Sequence, residues 1–110
     1  MKVCCFPDKP DKPGAPLDVV EIHKEGCKVK WKKPNDDGGL PLTGYVVEQM
    51  DAATRRWVTA KFVDPNNNEC EITGLKKRHR YEFRVKAVNE AGESQPLSTD
   101  TPIVLDSVFS

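Results

Sequence analysis

Apolar and polar residues alternate along most of this chain, which is the pattern of strands with one face in a core and the other in water. In YEFRVKAV, residues 81–88, apolar side chains share one face while Glu82, Arg84 and Lys86 share the opposite face. The segment CKVKWKK, residues 27–33, repeats this alternation with lysines outward. Both segments are therefore predicted to be strands with one buried face.

The same pattern predicts further strands, separated by clusters of Gly, Pro, Asn and Asp. They cover residues 17–23, 45–51, 56–63, 69–73 and a segment within 97–105. Pro96 and Pro102 interrupt the last segment, which suits an edge strand because a missing N–H costs little there. No window has the apolar period of a helix. Seven short strands about ten residues apart predict an all-β, seven-stranded antiparallel sandwich of the immunoglobulin-like type.

The chain length suits one domain with a single core. Residues 1–13 are rich in proline and charge, and they are predicted to be a linker or an added, non-native segment. The domain itself is predicted over residues 14–106, followed by a short tail at 107–110. No room is left for a second domain.

The charge balance and the hydropathy of the chain disfavour two classes of binding partner. Lys and Arg number 17 and Asp and Glu number 17, so no general field attracts nucleic acid or an anionic membrane. No apolar run approaches the roughly 20 residues that span a bilayer, and Val3–Phe6 is too short for a signal-peptide core. We expect no nucleic-acid or membrane partner and no export, although a start inside a longer parent chain would look the same.

The cysteines and histidines do not form a metal-binding pattern, because no Cys-x-x-Cys occurs and His23 and His79 stand alone. No metal or cofactor is therefore expected. Cys27 and Cys70 occupy apolar-facing strand positions, where a free thiol behaves as a small buried hydrophobe. A disulfide between them is the alternative that the sequence leaves open. Cys4 and Cys5, in the linker, are expected to react freely with thiol reagents.

Two charged loops are candidate binding sites. DDGG, residues 36–39, lacks the Gly-Lys-Ser/Thr and the helix of a phosphate loop, so its glycines are interpreted as turn residues. Asp36 and Asp37 lack the other oxygen ligands of a calcium loop and are expected to be solvated. KKRHR, residues 76–80, could contact phosphate, a sulfated glycan or an acidic surface, but a solvated connection is favoured on a chain of balanced charge.

No nucleophile, base and charge stabiliser are expected to converge, so the sequence predicts no catalytic residue. The row formed by Lys28, Lys30 and Lys32 is expected to be paired with carboxylates of the same domain and not to bind a partner. Glu69 and Glu71 should face the same way from a neighbouring strand and form cross-strand ion pairs with it.

Several motifs in order give the chain a family resemblance: Trp31 with Pro34, Gly38 and Gly39 before Pro41, TGYVVE, Trp57, Leu75 with Tyr81, and YEFRVKAVNEAGES. Together they resemble a fibronectin type III domain from Pro13 to about Leu105. DDGGLPLTGYVVE and RVKAVNEAGES are similar to the muscle subset of that family, the modules of titin, twitchin, projectin and myosin-binding protein C. The segment DKPGAP is similar to the linkers between such modules.

The alternation and the family resemblance together predict which residues form the core. Tyr81 is expected to form a tyrosine corner near Leu75, with its phenol bonded to a buried backbone acceptor upstream. Trp31 is expected to fill the centre between the sheets. The predicted structural core consists of Trp31, Tyr45, Val47, Leu75, Tyr81, Phe83 and Val85. The sequence does not indicate which surface binds a protein.

The resemblance implies a non-catalytic structural and protein-binding module of a giant sarcomeric protein, acting as a spacer and scaffold in a tandem array along the thick filament. A parent chain of this kind often carries a separate kinase domain. The implied partners are neighbouring immunoglobulin or fibronectin type III modules, with myosin or other thick-filament proteins as candidates. In isolation the module is expected to be a monomer, and its implied location is the cytoplasmic A-band of the sarcomere.

Two alternatives belong to other functional classes. An extracellular adhesion or receptor module would be expected to carry glycosylation sequons and paired cysteines, but no Asn-x-Ser/Thr occurs. The adhesive Arg-Gly-Asp loop of such modules is replaced here by NEAGES, and the Trp-Ser-x-Trp-Ser motif of receptor modules does not occur. A regulatory or catalytic domain would need a pocket of perturbed ionisable groups, which the sequence does not suggest.

Overall fold

The computed structural model describes residues 8–23, 25–76, 78–99 and 102–104, and these contain nine strands and no helix. Within them, no helix that could cross a membrane is present. The strands are β1 Gly14–His23, β2 Gly26–Lys32, β3 Gly44–Asp51, β4 Arg56–Val63, β5 Glu69–Ile72, β6 Arg80–Asn89, β7 Gly92–Glu93, β8 Leu97–Ser98 and β9 Ile103–Val104.

The strands form two antiparallel sheets that face each other across the core. The smaller sheet has the order β1-β2-β5, and in the larger sheet β4, β3 and β6 lie side by side. The short strands β7, β8 and β9 all pair with β6. The predicted all-β antiparallel sandwich is confirmed.

The last predicted strand is present as short segments rather than one strand. Pro96 directly precedes β8 and Pro102 directly precedes β9. Because proline has no N–H to donate, a continuous ladder cannot form through these positions. The edge of the larger sheet beside β6 is therefore interrupted, as the two prolines suggested.

Alternation decides which side chains enter the core. On β2, Cys27, Val29 and Trp31 are buried, whereas Lys30 and Lys32 are exposed. On β6, every second residue from Tyr81 onward is buried. The predicted faces of both strands are confirmed, since period-two alternation places successive side chains on opposite sides.

Strand β4 carries an irregularity that the sequence left unspecified. Its pairing with β3 shifts between Val47 and Glu48, so that Lys61 pairs with Val47 while Thr59 pairs with Glu48. Lys61 consequently points toward the smaller sheet, and its Nζ lies 3.4 Å from the carbonyl oxygen of Glu71. A bulge and an inward-facing charge on an edge strand both oppose pairing with a further strand.

Residues 8–13, which the sequence assigns to the linker, pack against the loop between β2 and β3. The Asp8 N–H donates to the Gly38 carbonyl at 2.9 Å, and the Asp11 N–H donates to the Asp36 carbonyl at 2.9 Å. Gly38 has a φ of 78°, and a Cβ there would lie 2.0 Å from the Asp8 oxygen. Glycine is therefore needed at position 38 for both its conformation and this close approach.

The described chain enters at one end of the sandwich and leaves at the other. Asp8 lies beside the last residue of β6, because the Asn89 side chain donates to the Asp8 carbonyl at 2.8 Å. Val104 pairs with Arg80, the first residue of β6. The principal extents are 53 × 24 × 20 Å, so these two ends are separated along the long axis.

We call the two ends the N-terminal pole and the C-terminal pole. Among the described residues, the N-terminal pole comprises residues 8–12, 33–43, 64–68 and 89–93. The C-terminal pole comprises Glu25 and residues 51–56, 73–76, 78–80 and 102–104. Hydrogen bonds hold each set together, for example from the Leu75 N–H to the Glu25 carbonyl at 2.8 Å.

Candidate functional site

The residues predicted for the core all lie between the two sheets, each at most 6% exposed: Trp31, Tyr45, Val47, Leu75, Tyr81, Phe83 and Val85. Trp31 on β2 and Tyr45 on β3 contact each other edge to face, with ring centroids 5.3 Å apart. This arrangement is favourable for two aromatic quadrupoles and joins the sheets at their centre. The region is a packed core and offers no opening to a substrate.

Two buried polar atoms lie within this aromatic contact. Trp31 Nε1 and Tyr45 Oη have no hydrogen-bond partner of good geometry among the described residues. Burial raises the pKa of the Tyr45 phenol, and the neighbouring Trp31 indole opposes this only in part. The phenol therefore stays neutral, and it contributes to stability through its ring rather than through its hydroxyl.

Tyr81 forms the corner that the sequence predicts, with one correction. Its phenol oxygen accepts a hydrogen bond from the Lys76 N–H at 2.8 Å, across the connection that leads into β6. We expected the phenol to satisfy a backbone acceptor, but the backbone group is a donor. The bond ties the loop before β6 to the buried end of the strand, which is the role expected of a tyrosine corner.

The thiols of Cys27 and Cys70 are free. Cys27 is fully buried, and burial, followed by the neighbouring Cys70, raises its pKa to about 12. Burial also raises the pKa of Cys70 to about 11, although the charge of Lys61 opposes it. The sequence suggested no cation on this face, and the bulge in β4 explains why Lys61 is there. Cys4, Cys5 and the side chain of His23 lie outside the described residues.

Ion pairs cover the outer face of the smaller sheet. Lys28 Nζ lies 3.1 Å from a Glu21 carboxylate oxygen and 3.3 Å from one of Glu69, and Lys30 lies 3.9 Å from Glu69. Among the described residues, Glu71 forms no such pair. The predicted cross-strand pairing is thus present through Glu69, with Glu21 where Glu71 was expected.

A second charge network lies on the outer face of the larger sheet. Arg84 Nε donates to Glu48 at 2.5 Å, while Lys86 lies 3.4 Å from Glu48 and 3.5 Å from Glu93. Burial raises the pKa of Glu48, but Arg84 and Lys86 outweigh it and leave the pKa lowered. The Arg84 guanidinium also lies over the Trp57 ring, 4.1 Å from its centroid. These charges neutralise one another within the module.

One exposed aromatic residue interrupts this polar face. Phe62 on β4 is 75% exposed and borders a groove of about 330 Å³ that Val46 and Val88 also line. Val46 pairs with Phe62 on one side and with Lys86 on the other, and the sequence pattern did not single out the exposed Phe62. Regular alternation from Trp57 would place Phe62 inward, so the bulge in β4 explains why the sequence pattern did not reveal it. The apolar area remains small beside the patches that mark obligate interfaces.

The loops that carried candidate chemistry have structural roles. Gly38 N–H donates to the Asp36 carboxylate at 2.8 Å, and Gly39 N–H donates to the Asp37 carboxylate at 2.9 Å, as in Asx turns. His79 Nδ1 lies 2.6 Å from Asp51 Oδ2 at the opposite pole. Within the described part of the chain, no group of three His, Cys, Asp or Glu side chains could hold a metal ion.

The fold, the corner and the order of motifs agree with a comparison of sequences. The profile of the fibronectin type III domain matches residues 11–103. The chain belongs to the fibronectin type III family. Members of this family are non-catalytic structural modules.

The relatives of this fibronectin type III module include muscle proteins. The chain is 36% identical over 99 residues to the titin homolog of Caenorhabditis elegans, covering 88% of the chain and 0% of the relative to the nearest percent. It is 33% identical to cardiac-type myosin-binding protein C of Mus musculus, covering 88% of the chain and 8% of the relative. The chain thus spans less than a tenth of the length of these relatives.

A solved single module has the same fold. Titin module A71 from human cardiac muscle is 35% identical, with a TM-score of 0.73, and the match covers 96% of the chain and 99% of that module. The likeness to modules of muscle proteins that the motifs suggested is therefore confirmed.

Proposed function

We propose that this fibronectin type III domain is one unit of a tandem array in a giant sarcomeric protein, where it serves as a spacer and as a protein-binding scaffold along the thick filament. The observation that carries this proposal is the placement of the ends. Asp8 and Val104 lie at opposite poles of a module 53 Å long and 24 Å wide. Such modules can be joined end to end without blocking their side faces.

The side faces favour weak and repeated binding over a single strong contact. The charges near the centre of both outer faces, such as Lys28 with Glu69 and Arg84 with Glu48, are paired internally, and Phe62 is the most exposed large apolar side chain among the described residues. A single module is therefore expected to bind weakly, and affinity is expected to come from many modules in series, because each contact raises the effective concentration of the next. Myosin is the first partner to test, because one relative is named for binding it. The location would then be the A-band of the sarcomere.

The extracellular alternative has less support. Cys27 and Cys70 are free, whereas an extracellular module would be expected to pair its cysteines in a disulfide. The similarity to muscle proteins also favours the sarcomeric proposal.

Co-sedimentation with myosin rods tests the proposal. The single chain is compared with a fragment of its parent protein that contains this module and its neighbours. We expect the single module to bind with a Kd between about 1 μM and 1 mM, and the longer fragment to bind at least tenfold more tightly. Equal affinities would contradict the avidity argument, and no binding by either would leave only the spacer role.

A further inference from the structure

The net charges of the two poles have opposite signs. The charged residues of the poles also differ from those at the centre of the sheets, which form ion pairs within the module. At the centre of the sheets, Lys28 and Lys30 are matched by Glu69, and Arg84 and Lys86 are matched by Glu48. At the poles most charges have no such partner. The module therefore has paired charges at its middle and unpaired charges at its ends.

The C-terminal pole is basic. Arg55, Arg56, Arg78 and Arg80 are exposed, and none of them forms an ion pair with another described residue. Lys76 adds a further cation, whereas the carboxylate of Asp51 is occupied by the Ala53 N–H and by His79. Four guanidinium groups are thus available to a surface that approaches this end.

Two of these arginines occupy positions where another residue would be less strained. Arg55 has a φ of 57° and Arg78 has a φ of 66°, in the left-handed region that glycine or asparagine adopts more easily. Both residues are exposed and lie in turns of the C-terminal pole. Folding alone would favour glycine in both turns.

The N-terminal pole is acidic. Its exposed carboxylates belong to Asp8, Asp11, Asp37, Asp64 and Glu90, and among the described residues none of them forms an ion pair. The cations of the same pole are Lys9, Lys12 and Lys33. Carboxylates therefore outnumber cations at this pole, although the chain as a whole is neutral.

We propose that the basic C-terminal pole docks against an acidic N-terminal pole of the next module, so that charge complementarity orients neighbouring modules at their junction. The partner surface is a set of loop carboxylates of the kind that this chain has at its own N-terminal pole. The contact is head to tail, and it repeats along an array without closing into a ring. The inference rests on the tandem arrangement proposed above.

The small free energy of exposed ion pairs limits how strongly such a contact can bind. Exposed ion pairs contribute little individually and are screened over roughly 10 Å at about 0.1 M salt. Several pairs acting together at a covalently linked junction mainly select orientation and disfavour wrong neighbours. Isolated chains should therefore remain monomeric at physiological salt and associate only at low salt and high concentration.

The chain itself can serve as the probe, because its own poles are complementary. Sedimentation velocity and two-dimensional NMR would be recorded at about 10 mM and at about 1 M salt, where the screening lengths are roughly 30 Å and 3 Å. At low salt we expect association that grows with concentration up to about 1 mM and shifts resonances at both poles, and at high salt an association constant lowered at least about tenfold. No association at low salt would overturn the proposal.

Two variants of equal net charge separate docking from non-specific attraction. The first, Arg55→Glu, Arg56→Glu, Arg78→Glu, Asp11→Lys, Asp64→Lys and Glu90→Lys, reverses the sign of both poles and should associate like the wild type. The second, Arg55→Glu, Arg56→Glu, Arg78→Glu, Asp18→Lys, Glu71→Lys and Glu82→Lys, makes the C-terminal pole acidic and moves the positive charge to the outer faces of the sheets, so it should stay monomeric. Equal behaviour of the two variants would overturn the docking proposal. Tighter myosin binding by the longer fragment would still support the tandem proposal in that case.

Discussion

The rings of Trp31 and Tyr45 meet edge to face between the two sheets, with centroids 5.3 Å apart and planes inclined at 63°. Trp31 comes from the smaller sheet and Tyr45 from the larger one, so one aromatic contact joins both layers of the sandwich. Both side chains are nearly inaccessible to solvent. Loss of either ring would open a cavity that the surrounding β-sheets cannot close by small shifts.

Replacing Trp31 with alanine is expected to lower the free energy of unfolding by about 3–5 kcal/mol, because a large buried side chain is lost from close-packed surroundings. Trp57 provides the matched control, since it lies on the outer face under Arg84. Trp57→Ala should cost about 1 kcal/mol or less. Chemical denaturation of both variants checks this, and equal losses would mean that Trp31 is not the central core residue.

The two tyrosines should respond oppositely to removal of the hydroxyl. Tyr81→Phe removes the part-buried hydrogen bond that the Lys76 N–H donates to the phenol and should cost about 1 kcal/mol. Tyr45→Phe removes a buried hydroxyl that lacks a partner of good geometry, so its stability should be unchanged or higher. Thermal and urea unfolding of both variants measure the difference. A Tyr45→Phe loss as large as that of Tyr81→Phe would show that the Tyr45 hydroxyl has a partner.

The thiols of Cys27, which is buried, and of Cys70, which is half-buried, should resist modification in the folded protein. Their pKa values, raised to about 12 for Cys27 and about 11 for Cys70, leave almost no thiolate at neutral pH. In a Cys4→Ser, Cys5→Ser variant, a chromogenic disulfide reagent should react only on unfolding, and then with both remaining thiols. Mass spectrometry that finds a native bridge between Cys27 and Cys70 would contradict this and would favour the extracellular alternative.

Glu48 should make the stability of the module depend on pH in the acidic range. Its pKa is lowered in the folded protein, so its stabilising contribution is present above the unfolded pKa of about 4.3 and is lost as the pH falls through the folded value. Glu48→Gln should therefore flatten the fall in stability below about pH 4.3. Glu71→Gln, which removes no ion pair among the described residues, serves as the control. Parallel pH profiles for the wild type and Glu48→Gln would refute the assignment.

The sequence was sufficient for the fold because alternation and turn residues act locally. Lys28 and Lys30 face outward for the same reason that Val29 faces inward, and this needs no knowledge of the partner strand. The side of β4 on which Lys61 lies could not be predicted in the same way. A bulge changes the face of every residue beyond it, and its position depends on pairing with β3.

The partners of a side chain could be predicted from the sequence only where the register of the neighbouring strand could also be predicted. The outward direction of Glu69 followed from alternation, but the choice of Glu21 over Glu71 as the second partner of Lys28 depends on the path of β1. The unpaired charges of the poles were not visible as a pattern either. Their residues come from loops that are far apart in the sequence and are brought together only by the fold.

Small-angle X-ray scattering of a parent fragment containing this module and its two neighbours tests most directly whether the module is a spacer. The chain ends lie at opposite poles, so each additional module should lengthen the particle by an amount comparable with the 53 Å long axis. The maximum dimension should rise almost in proportion to the number of modules at physiological salt. A compact particle that grows by little more than the 20–24 Å widths would show modules packed side by side and would contradict the proposal.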